Sequence, residues 1–259
     1  MAQRTSPLDE LRAQDEHNYK EIRKAFENET LIADDVVRAY DLYRKAVEPH
    51  LANERMRVAS AIVGGICGQH LIRGALSLFR LHSAQMFRET RSAVEAAGIA
   101  HAIQHDEKKL QIFLQDEGRP EQRRKARSTF RPRIIFPDDQ PLLKILNDHY
   151  EVASLRSHTN VLNFVLHLSK SDEPGRLHIH AQDIPRKRLP QDFPLLLFWL
   201  CQAHVSILCC VEIIFPGLPS TKQMSDFFHE HRYIFEKVQR FNQNHQSQLA
   251  QVAMPPITT

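Results

Sequence analysis

The sequence predicts an all-α fold, a single-domain multi-helix bundle with long core helices. Apolar residues recur three and four apart through most of the chain, the spacing of one helix face. Glycine occurs only 8 times in 259 residues, so long stretches lack the turn signals of a sandwich or barrel. An apolar share of 42% and a charged share of 25% are those of an ordinary globular chain able to bury a sizeable core. At this length one domain or two closely packed helical layers are both allowed. The expected organisation is an N-terminal amphipathic helix over 1–30, a helical bundle core over 31–250 and a disordered tail over 251–259.

Ser6 followed by Pro7 is a helix start signal, and Leu8, Leu11, Tyr19, Ile22, Ala25 and Phe26 give the first helix its apolar stripe. Asp34 or Asp35 is expected to cap a second helix, with Val36, Val37, Tyr40, Tyr43 and Val47 at helical spacing up to a bend near Pro49 and His50. The longest periodic stretch runs over 51–103. Gly64, Gly65, Gly68 and Gly74 interrupt it, permitting close backbone approach or a break between two helices. In its second half Leu76, Phe79, Phe87, Val94 and Ala97 alternate with Arg80, His82, Arg88, Glu89, Arg91 and Glu95, which reads as a core helix carrying charge inward.

A helical stretch to about Glu117 follows, then an exposed basic connector over 118–139. Pro141 opens a helix running through Leu168, which the SKSDEPGR segment ends. Residues 177–184 read as a loop or marginal hairpin, because a single strand there has no obvious partner. The apolar run 195–215 comes close to the roughly 20 residues that span a bilayer. Gln202, His204, Ser206 and Glu212 inside it, with Pro194 and Pro216 at its ends, favour a buried central helix, and no membrane insertion is expected. The PGLPSTKQ turn leads to a last helix, capped by Ser220 or Thr221 and continuing toward Gln246.

A net charge of +3, from 34 basic and 31 acidic residues, gives no general attraction to a polyanion. The 15 histidines are the compositional excess, and they make sensitivity to mild acid an expectation. Cys67, Cys201, Cys209 and Cys210 sit in apolar surroundings without a C-x-x-C pair and read as buried thiols. The opening segment MAQRTSPLDELRAQDEHNYK lacks the apolar core of a secretory signal, so a cytoplasmic location is expected.

Arg88, Arg91 and Glu95 share one helix face, as do Tyr150, Ser154 and His158 on a later helix. If those faces meet, they form a polar site that could bind an anionic ligand or place His158 as a general base near an arginine. The same groups could instead form an internal ion-pair network that fixes helix register.

The segments RETRSAVEAAGIAHA and HYEVASLRSHTN, within 58–168, resemble those of bacterial helical-bundle proteins of unknown function related to the HEPN superfamily. That resemblance implies an all-α fold. For active members of the superfamily it implies metal-independent ribonuclease action by an arginine and a histidine spaced R-x(4-6)-H. Three stretches meet that spacing: Arg12 to His17, Arg44 to His50 and Arg240 to His245. Pro49 stands immediately before His50.

His178 with His180 near Asp183, and His229 with His231 near Asp226, are H-x-H pairs. The first could chelate if it lies on a strand, which would suit a metal-dependent hydrolase; the second, on a helix, would diverge. No H-E-x-x-H or third ligand is fixed, so no metal or cofactor is expected. The run from Arg119 to Arg133, with Phe130 inside it and Phe136 just beyond, suits phosphate contacts beside a stacked RNA base. No P-loop, dinucleotide fingerprint or nucleophile elbow occurs. The function expected is therefore a non-enzymatic helical binding or regulatory module, self-associating as a homodimer and open to a protein partner. The alternative, which the resemblance implies, is a HEPN-like ribonuclease in a stress or phage-defence system.

Overall fold

Helix α1 (Pro7–Ala25) starts where the sequence signals it, the Ser6 hydroxyl accepting from the Leu8 N–H at 3.3 Å. It breaks at Phe26, whose ring packs 4.6 Å from that of Phe193, and α2 (Glu27–Val47) begins at once. Asp34 and Asp35 therefore lie inside α2 and do not cap it. Their carboxylates are used across helices instead, Asp34 by Arg23 of α1 and Asp35 by Lys237 of the last helix. These coordinates, a computed structural model, describe residues 6–116, 118–137, 139–157, 168–170, 177–179, 184 and 189–249.

After a short 3-10 turn at Glu48–His50, one continuous helical run covers α3 (Glu54–Ser60), a π-helical segment (Ala61–Cys67) and α4 (Gly68–Phe79). The glycines do not break it. Gly64 and Gly68 bring the run against α2: a Cβ on Gly64 would stand 2.7 Å from Arg44 Cγ and 3.0 Å from Tyr43 Cε1. The reversal comes later, at Leu81, which adopts φ 69° with its side chain buried and is followed by a 2.8 Å bond from the His82 N–H to the Ser77 carbonyl. Helix α5 (Ser83–His105) then returns along α4.

Helix α6 (Glu107–Leu114) is capped by Asp106. The basic connector proves helical, forming α7 (Pro120–Thr129) and α8 (Pro132–Ile135). Each starts with proline at its first position behind an extended arginine, Arg119 or Arg131, a combination already set for helix entry. Helix α9 (Pro141–Ser157) follows, and residues 158–167 lie outside the described residues. At Leu168, expected to be helical, the chain is instead in strand β1 (Leu168–Lys170), antiparallel to β2 (Leu177–Ile179) with Leu168 opposite Ile179. The marginal hairpin thus has a partner that the sequence pattern did not reveal.

The chain ends in α10 (Leu189–Cys209), α11 (Val211–Ile214) and α12 (Lys222–Leu249), the last entered through Thr221, whose hydroxyl accepts from the Met224 N–H at 3.2 Å. Segments 1–5 and 250–259, with the expected tail, lie outside the described residues. The fold is an all-α bundle: α5 packs most extensively on α9 and α4, and α10 lies across α2, α4, α5, α9 and α12. Phe193, Leu197, Leu200, Val205 and Leu208 of α10 are fully buried. Two runs, Glu54–Phe79 and Leu189–Ile214, are long and apolar enough to cross a membrane by length and composition; 50% and 67% of their most apolar windows are buried inside the bundle.

Candidate functional site

The two faces singled out from sequence do meet, because α5 and α9 share the most extensive helix pairing in the fold. Arg91 of α5 donates from Nη2 to the Tyr150 hydroxyl of α9 at 3.1 Å, with its guanidinium carbon 5.2 Å from the centre of the Tyr150 ring. The ring of Phe136, at the end of α8, also packs against Tyr150, with centroids 5.9 Å apart. Arg91 and Glu95 are half-buried, one helical turn apart. Burial pushes the Glu95 carboxyl up from its ordinary value, and the nearby Arg91 charge only partly opposes that.

The seam is incompletely satisfied. Arg91 Nε and Ser154 Oγ are both buried without a hydrogen-bond partner among the described residues. Arg91 has no carboxylate within 4 Å among the described residues. Arg88 does not join the seam: it is exposed and donates to Gln85 Oε1 at 2.9 Å, because position 88 points out of the α5–α9 packing. His158 lies outside the described residues.

A second polar constellation sits deeper, between α2, α4, α5, α9 and α10. The Tyr40 hydroxyl lies 3.0 Å from His204 Nδ1, and both residues are buried. Burial raises the proton affinity of the tyrosine and lowers that of the imidazole, so the contact joins a neutral phenol to a neutral imidazole. The ring's Nε2 has no hydrogen-bond partner among the described residues. Burial first, then the neighbouring His70 and His149, lower the His204 pKa to about 3.

His70 Nδ1 donates to Glu89 Oε2 at 2.7 Å, and the other oxygen of Glu89 accepts from Gln85 Nε2. With Arg88 at its outer end, this makes a hydrogen-bonded chain of side chains, Arg88–Gln85–Glu89–His70, running in from solvent to the half-buried His70. His149 lies 3.4 Å from the Ser206 hydroxyl and edge-on to Trp199 at 5.8 Å, and burial lowers its pKa to about 4. Sequence reasoning missed this cluster. Its signal was the trio Gln202, His204 and Ser206 in an otherwise apolar helix, used only to weigh a membrane reading.

Comparison with protein-family models, curated proteins and solved structures finds no match to this chain. The arginine and histidine pairs must therefore be judged by their own placement. Arg12 and His17 are exposed on α1. Arg44 pairs with Asp41 on α2 while His50 ends the 3-10 turn after it. Arg240 pairs with Glu236 at 3.6 Å on α12, and the side chain of His245 is outside the described residues.

The metal candidates separate as helix geometry requires. His231 is buried, with Nε2 3.2 Å from the Val205 carbonyl, whereas His229 is exposed. His180, Asp183 and the side chain of His178 fall outside the described residues. Among the described residues no group of three His, Cys, Asp or Glu side chains could hold a metal ion.

The basic run changes character. Arg123, Arg124, Lys125, Arg127, Arg131 and Arg133 are exposed on α7 and α8, but Phe130 and Phe136 are core residues, Phe130 edge-on to Phe113 at 6.3 Å. The stacked base expected from sequence therefore has no aromatic platform at either position, and phosphate contacts alone remain open to this surface. Cys67, Cys201 and Cys210 are buried free thiols and Cys209 is half-buried, all held above the ordinary thiol range by burial.

Proposed function

We propose that the protein is a non-enzymatic helical binding module that holds a small anionic group, a carboxylate or phosphate, at the α5–α9 seam. The observation that carries the reading is two buried polar atoms on the facing helices without a hydrogen-bond partner among the described residues, Arg91 Nε on α5 and the Ser154 hydroxyl on α9. A buried guanidinium N–H left unpaired costs about 1–3 kcal/mol. An anion between α5 and α9 would accept from Arg91 and Ser154 together and remove that cost. Tyr150 orients the guanidinium through its hydroxyl and ring. Glu95 opposes an anion while charged, but its raised proton affinity lets it take up a proton and donate.

Calorimetric titration with inorganic phosphate and with acetate tests this, using the wild type, Arg91→Gln and Ser154→Ala. Saturable binding of at least one anion, weakened about tenfold or more by Arg91→Gln, supports the reading. No binding in the wild type returns Arg91 and Tyr150 to a role in helix register alone. Incubating the protein with total RNA in EDTA tests the non-enzymatic half: cutting that is lost in His50→Ala, His158→Ala or His245→Ala would favour the ribonuclease alternative.

A further inference from the structure

The corner between α11 and α12 encloses a cleft of about 670 Å³, lined by Glu212, Phe215, Leu218, Phe228, His229 and Arg232 among others. That volume is in the range of small-molecule sites. Its floor is apolar: Phe215 and Met224 are core residues and Leu218 and Phe228 are half-buried. Its shape is fixed before any ligand arrives. Pro216 and Pro219 flank Gly217 at φ +85°, the Thr221 N–H bonds the Pro219 carbonyl at 2.9 Å, and the Thr221 hydroxyl caps α12.

The rim carries both signs of charge on different elements. Glu212 rises from α11 and has no cation within 4 Å among the described residues. His229 and Arg232 stand on α12, three residues apart, and Arg232 pairs among the described residues with Glu236 of its own helix at 3.3 Å, largely in solvent. An apolar floor with a carboxylate from α11 on its rim and the Arg232 guanidinium beside the His229 imidazole on α12 is complementary to one ligand type. We infer that this cleft binds a small zwitterion with an apolar body, of the class of short apolar peptides, its ammonium on Glu212 and its carboxylate on His229 and Arg232. This site is separate from the α5–α9 seam and does not rest on the anion reading.

The probe is the dipeptide Leu-Phe, titrated by calorimetry against the full chain, with its N-acetyl and C-amide derivatives as controls. The wild type should bind Leu-Phe saturably, with Kd in the range of about 1 mM or tighter. Either derivative, or Glu212→Gln, or the double variant His229→Gln with Arg232→Gln, should weaken binding about fivefold or more. N-acetyl Leu-Phe should lose nothing further in Glu212→Gln. All these side chains are exposed, so the variants should keep the thermal midpoint of the wild type. No saturation by about 10 mM, equal binding of either derivative, or binding untouched by both variants overturns the inference.

Discussion

Lowering the pH from about 7.5 to about 5.5 should destabilise the fold through histidines buried in their neutral form. His204 and His149 have folded pKa values of about 3 and about 4, depressed chiefly by burial. The unfolded chain returns both to about 6.5, so below that pH it binds protons that the folded state refuses. Stability from these groups is therefore full above the unfolded pKa, and it falls as pH drops toward the folded values. One unit below 6.5 each histidine has lost about 1.4 kcal/mol, and the pair about 3 kcal/mol. Against a total of about 5–15 kcal/mol this is a large share.

His231 is shifted in the same direction, and His101, lowered to about 4 but more exposed, adds a screened part. Glu95, with its raised pKa, works the other way and gains proton-linked stability as pH falls. The assay is urea unfolding at both pH values. With m of about 3 kcal/mol/M, the two central histidines alone should move the midpoint down by about 1 M. His204→Gln cannot titrate and should cut the pH-dependent loss by about 1.4 kcal/mol, with His149→Gln doing the same if the first variant folds poorly. A wild-type midpoint unmoved between the two pH values, or a loss equally large in both variants, would refute the reasoning.

Other consequences follow from packing and surface. Gly98→Ala should destabilise by about 1–3 kcal/mol, because its Cβ would lie 2.7 Å from Phe136 Cε1 and 3.1 Å from Ile135 Cβ; urea unfolding measures it. At neutral pH a thiol reagent should label native Cys67, Cys201 and Cys210 only at the rate of unfolding, with all four cysteines reacting at once in denaturant. If the module self-associates, the outer face of the α3–α4 run is the place, where Ile66 and Ile72 are 41% and 45% exposed around Gln69. Light scattering after gel filtration should then give a dimer that Ile66→Lys with Ile72→Glu converts to a monomer; a wild-type monomer at about 100 μM rules it out.

The sequence made the helices legible where one physical signal dominated. Ser6 with Pro7, and the hydroxyl of Thr221, mark starts that local chemistry alone sets. Asp34 and Asp35 misled because the same side chains that cap helices also serve as partners for Arg23 and Lys237, and only the tertiary fold decides between the uses. The glycines of the 51–103 stretch allowed either close approach or a break, and the fold uses the first; the actual reversal, at Leu81, has no glycine or proline to announce it. At the site, helical spacing correctly put Arg91 and Glu95 on one face and Tyr150 and Ser154 on another. Spacing could not say that Arg88 points outward, nor that Phe130 and Phe136 are core, since a basic run hides its buried positions. The Tyr40–His204 contact joins residues 164 apart, and no local pattern connects them.

The π-helical segment at Ala61–Cys67 acts as a phase shifter within one rod. Each of its turns winds in more residues than an α turn, so everything after Cys67 lags in angle behind where an unbroken α-helix would carry it. With that lag the rod shows Gly64 and Gly68 to α2, while Cys67 reaches the Ala93 carbonyl and His70 reaches Glu89 on α5. The faces are therefore set by how many residues lie in the segment as much as by which ones. Length here fixes register as much as chemistry does: losing one residue would rotate His70 and Gly74 together, taking His70 away from Glu89 and Gly74 away from Leu200 without altering any of those residues.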